Sequence, residues 1–92
     1  MTSGQSISED SFKGRLIGLA KQDLARRKGF PIDEIEFVDF ESVIWPDGSL
    51  GCPQPGVAYT QVQHEGYLIH LRYTGHIFSY HGGGEITPFL CE

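Results

Sequence analysis

A chain of 92 residues has room for one domain with a modest core. Its 39% apolar and 21% charged residues mark a globular protein rather than a disordered one. Seven Lys and Arg against 12 Asp and Glu leave a formal charge of -5, which argues against nucleic acid as a partner because phosphate affinity rests on cationic contacts.

The amino terminus, MTSGQSISED, lacks the basic start and apolar run of a secretory signal. No apolar stretch approaches membrane-spanning length, so no membrane partner is expected. The expected location is cytoplasmic by default, and exported if a signal has been trimmed from the chain. Residues 1–5 read as a disordered lead-in. Ser6-Ile7-Ser8-Glu9 then matches a capping box, which satisfies orphan amides at a helix start. Phe12, Leu16, Ile17, Leu19, Ala20 and Leu24 follow at helical spacing as one apolar stripe. Arg26, Arg27 and Lys28 suit the last turn, where cations interact well with the helix dipole, and their reading is a solvated helix end. Gly29 and Pro31 stop the helix. The spacing predicts a helix over about residues 7–28.

Sheet and rigid loop are expected over about residues 33–91. Ile32–Trp45 is rich in β-branched and aromatic residues and reads as a strand. Its imperfect alternation means either that both faces are partly covered or that a bulge shifts the register near Asp39–Glu41. Residues 45–56, WPDGSLGCPQPG, hold three prolines and three glycines, so they form neither helix nor regular strand. Asp47-Gly48 fits a tight turn, and Pro46, Pro53 and Pro55 stiffen the chain. Val57–Gln63 reads as a further short strand. Gly66–His81 is a hairpin about a Thr74-Gly75 turn, with Leu71 opposite Phe78 and Ile69 opposite Tyr80. Tyr67, Ile69, Leu71, Phe78 and Tyr80 then share a core face, and His70 and His81 lie on a mixed outer face. Gly82-Gly83-Gly84 reads as a flexible break, and Ile86–Cys91 as an apolar tail that docks back. The expected fold class is α+β, with one N-terminal helix packed on a three- or four-stranded antiparallel sheet in a single small domain.

The chemistry-bearing residues are few. His81-Gly82-Gly83-Gly84 spells an oxyanion-hole motif, but no nucleophile elbow accompanies it and the match is coincidence. Four histidines lack the close-spaced pairs of a zinc site, and His70 and His81 read as solvent-facing. No metal and no cofactor are expected, and no catalytic residue is assigned. Cys52 as a nucleophile has no helix start to activate it. The thiols Cys52 and Cys91 are read either as a disulfide, the preferred reading, or as two reduced buried thiols if the chain is cytosolic. Closing a loop of roughly 40 residues by a disulfide contributes about 4 kcal/mol in the chain-entropy model.

The stretch VIWPDGSLGCPQPGVAYTQ, followed by GYLIHL, a YH pair and a terminal PFLC, resembles a family of small bacterial proteins of uncharacterised function. The matching positions run from Trp45 to Gly56, then Gly66-Tyr67, Ile69, Tyr80-His81 and Phe89 to Cys91. The resemblance implies a single small domain and brings no activity with it. It includes members with export signals, which this chain does not show.

Two classes of function follow from these residues. The first, which is preferred, is a non-catalytic, inhibitor-like module that presents the stiff 45–56 loop to a protein partner through Trp45, Asp47, Ser49 and Leu50. The second is a small-molecule-binding protein or enzyme with a pocket between loop and sheet, using Asp47, Ser49, Cys52 and His81. Solvent-facing Trp45 and Leu50 would favour the partner, a concave pocket below them the ligand, and a buried Leu50 a purely structural connector.

Overall fold

The computed structural model describes residues 3–84 and 86–92, with side chains from Ser11 onward. One helix, α1 (Ser3–Lys28), precedes four strands, β1 (Glu36–Trp45), β2 (His64–Tyr73), β3 (His76–Gly83) and β4 (Ile86–Cys91). The strands form one antiparallel sheet in the order β1-β2-β3-β4, so each strand lies beside its sequence neighbour. This is the expected α+β architecture with the sheet at four strands.

Helix α1 starts earlier than the expected residue 7, so part of the lead-in is helical. Residues 1 and 2, and the side chains of the Ser6–Glu9 capping box, lie outside the described residues. Leu16, Ala20 and Leu24 recur every four residues and are buried, which lays one narrow stripe on the sheet. Phe12 leaves the expected stripe and stands exposed. The helix ends where Gly29 adopts a φ of 74° and its N–H donates to the Ala25 carbonyl at 2.9 Å. Asp23 gathers the basic last turn, accepting from Arg27 at 2.7 Å and from Arg26 at 3.1 Å. The buried Tyr80 hydroxyl also donates to Asp23, at 2.8 Å, and so pins the helix to β3. Burial works against the charge on Asp23, but the Tyr80 hydroxyl and the two guanidinium groups outweigh it and hold the carboxyl below its ordinary value. Burial first, and then the bond to Asp23, push the Tyr80 hydroxyl upward.

The β2–β3 hairpin has the expected register, Leu71 opposite Phe78 and Ile69 opposite Tyr80. Thr74 and Gly75 both take positive φ, 47° and 85°, as a two-residue turn between right-twisted strands requires. Tyr67, Ile69, Leu71 and Tyr80 join the helix stripe and Ile35 in the core. In β1 a register shift falls between Phe37 and Asp39, so the bulge sits at Val38, just before the stretch where it was expected. Three further expectations are corrected. Val57–Gln63 forms no strand and pairs instead within the loop, where the Thr60 carbonyl accepts from the Gly48 N–H. Gly82 and Gly83 are not a flexible break but the end of β3, paired with Tyr67 and Gly66. The Tyr67 ring lies where a Gly82 Cβ would be, with its hydroxyl donating to the Ile86 carbonyl at 3.0 Å, and the β2 backbone at Glu65 crowds a Cβ on Gly83. The apolar tail does more than dock: Ile86–Cys91 is β4 itself, paired with β3.

Candidate functional site

The outer face of the sheet is organised by Trp45, the last residue of β1. Its indole N–H donates to the Gly82 carbonyl at 3.0 Å, so the ring reaches across β2 to β3. It stacks on His81 with centroids 4.9 Å apart and planes within 5°. Gly66 lies beneath the ring and Gly51 of the loop lies against it, and a Cβ at either position would strike the indole. Trp45 is thus held between sheet and loop.

The loop is fastened at both ends of its turn. The His81 Nδ1–H donates to the Leu50 carbonyl at 2.7 Å, which fixes the tautomer of a buried imidazole. His81 is therefore not the solvent-facing residue expected from its place on the outer face. Asp47 accepts from the Ser49 hydroxyl at 2.6 Å and from the Ser49 amide at 2.9 Å. Those two bonds, hydroxyl first, hold the Asp47 carboxyl below its ordinary value. The Gly48 N–H donates to the Thr60 carbonyl at 2.9 Å, and the Gln54 N–H to the Tyr59 hydroxyl at 3.0 Å. Leu50 has a φ of 54°, a strained conformation for a leucine, and this backbone turns its side chain inward to 3% exposure. Cys52 and Cys91 form a disulfide that joins the loop to the end of β4.

The four residues expected to form a contact tip therefore do not project together. Leu50 and Ser49 are buried, and Trp45 and Asp47 are half-buried. The exposed stretch is Pro53 to Ala58, the end of the segment and the two residues after it, with Val57 53% exposed. Beside it lies an open cleft of about 320 Å³ between the loop and β4, walled by Leu50, Gln54, Tyr59, Ile86, Phe89 and Leu90. Gln54, Val57 and Tyr59 were not among the expected contact residues, and Phe89 entered only through the terminal motif. No local signal marks them, because the cleft exists only where the disulfide brings the loop to β4. Of the polar groups proposed for chemistry, Ser49 is engaged by Asp47, His81 by Leu50, and Cys52 by Cys91. His70 meets Asp39 at 2.7 Å, and the register sets it diagonal to His81.

A second cleft, of about 280 Å³, lies on the helix side between Phe12, Lys13, Phe40, Glu65 and Tyr67. Lys13 stands 5.5 Å from the centre of the Phe40 ring there. No helix among the described residues is long and apolar enough to cross a membrane. No curated protein and no solved structure matches the chain. A family model does match, over residues 17–91, from within helix α1 to the disulfide. The chain belongs to that family, the domain of unknown function DUF8738.

Proposed function

We propose that the protein is a non-catalytic module that binds a protein partner through the outer half of its stiff loop and the cleft beside it. The observation that carries this reading is a division of labour within one segment. The inner side of the loop is committed to the fold by Trp45, Leu50, His81 and the disulfide. The row Pro53, Gln54, Pro55 and Val57 stays exposed on a backbone that is already fixed. A surface ordered before binding loses little entropy on binding, and an open apolar cleft accepts one anchoring side chain from a partner. The contact residues in this reading are Gln54, Val57, Tyr59 and Phe89, with Trp45, Asp47, Ser49 and Leu50 supporting them from within. The disulfide supports an oxidising compartment as the place of action.

The test compares capture by the immobilised protein from an extract of its source. A protein retained by the native chain and by Ile77→Asp, an exposed change on β3, but lost with Val57→Asp at unchanged thermal stability, is the expected result. Equal retention by both variants, or no retention at all, contradicts the reading. The cleft also favours a second reading, a small apolar ligand in place of a partner's side chain. Thermal stabilisation by small apolar probes, abolished by Gln54→Trp, is the result that reading requires.

A further inference from the structure

We infer that the outer edge of β1 is a strand-addition site for an extended, basic-apolar peptide segment of a partner. The two edges of the sheet are unlike. β4 carries Pro88, buried in the strand beside Leu19, Asp23 and Arg26 of the helix, and its end is tied by the disulfide and by the Lys28–Glu92 ion pair at 2.7 Å. A strand so covered and interrupted by proline is closed to further pairing. β1 has β2 on one side and, among the described residues, no strand on the other. Most of its residues are exposed.

The register separates the two faces of this edge by chemistry. Phe40, Ser42 and Ile44 pair with Ile69, Tyr67 and Glu65 and so lie on the helix side. Asp39 and Glu41 pair with His70 and Leu68 and lie on the outer side. On the helix side Ile44 is 65% exposed, and Phe12, 56% exposed, borders the cleft formed with Phe40, Ser42 and Tyr67. A strand laid beside Asp39–Ile44 would place apolar side chains next to Phe40 and Ile44 and its alternate side chains next to Asp39 and Glu41. Cross-strand pairing with two carboxylates calls for Lys or Arg at those alternate positions.

The same acids decide against a second copy as the occupant. Every ionisable residue of β1 is acidic (Glu36, Asp39, Glu41), so two such edges brought together would set like charges side by side. Arg72 and His70 already serve Glu36 and Asp39, and Glu41 has no ion-pair partner among the described residues. The bulge at Val38 further disrupts the first third of the edge and leaves Asp39–Ile44 as the regular portion.

The probe is a capped eight-residue peptide of alternating Lys and Val, titrated into isotope-labelled full-length protein while backbone amide shifts and exchange are followed. Two controls accompany it, the same peptide with Glu for Lys and the same peptide N-methylated at alternate residues. Shifts and added protection confined to residues 39–44, with both controls at least about tenfold weaker, are expected from reversed charge pairs and lost main-chain bonds. Glu41→Lys, an exposed change, should transfer preference to the Glu peptide. Equal binding of the N-methylated peptide, perturbation centred on residues 53–57, or no binding at millimolar peptide would each overturn the inference. So would concentration-dependent self-association that protects the same amides, because a second copy would then be the occupant.

Discussion

At the scale of single residues, Leu50 and Tyr80 carry the testable content. Leu50 is buried under a backbone strain that only surrounding contacts maintain, so Leu50→Ala should lose about 2–5 kcal/mol in urea unfolding. A loss below about 0.5 kcal/mol, the range of ordinary surface changes, would return it to the surface. Tyr80→Phe keeps the ring but removes the bond to Asp23, and should lose about 1.5 kcal/mol at neutral pH. Its pH dependence has a definite sign. The folded carboxyl of Asp23 sits below the ordinary 3.8, so the stabilisation it contributes is full above that value and is lost as pH falls through the lowered one. The gap between native protein and Tyr80→Phe should therefore narrow in acid and stay constant above pH 5. A gap that widened in acid would contradict the assigned bond.

At the scale of elements, the helix and hairpin were legible in the sequence and the loop was not. Leu16, Ala20 and Leu24 state a period of four, and Thr74-Gly75 states a turn, because these signals are local. Phe12 followed the same period but lies beyond the part of the helix that is covered, a limit set by the sheet and invisible in the helix itself. Gly82 and Gly83 read as a break because glycine in a row usually marks one, whereas here Tyr67 and the Glu65 backbone of the neighbouring β2 occupy the space. Leu50 read as a tip residue because its neighbours are turn formers, and the positive φ that sends it inward has no sequence signature in a leucine. The disulfide was one of two readings, and distance alone distinguishes them. Two changes test this layer. Replacing Cys52 and Cys91 by Ser opens a loop spanning 39 positions and should cost about 4 kcal/mol in the chain-entropy model, measured as a drop in urea midpoint. Gly66→Ala thrusts a methyl group into the indole of Trp45 and should cost about 1–3 kcal/mol with a shift in tryptophan emission. Unchanged emission would show that the ring does not lie on Gly66.

At the scale of the whole molecule, a four-stranded sheet is covered on both sides by different means. Helix α1 covers one face with an apolar stripe, and the 46–63 loop covers part of the other with Trp45, Leu50 and a disulfide. A domain of this size buries a limited core, so a stapled loop is an economical second layer. This loop is a layer of the fold, and in the proposed function that leaves its outer row to a partner. Amide hydrogen exchange at Gly48 and Cys52 in the oxidised protein tests it most directly, since their N–H groups donate within the loop to Thr60 and Ser49. Protection approaching that of the β2–β3 amides is the predicted result. Exchange at the rate of an unstructured peptide would contradict the account.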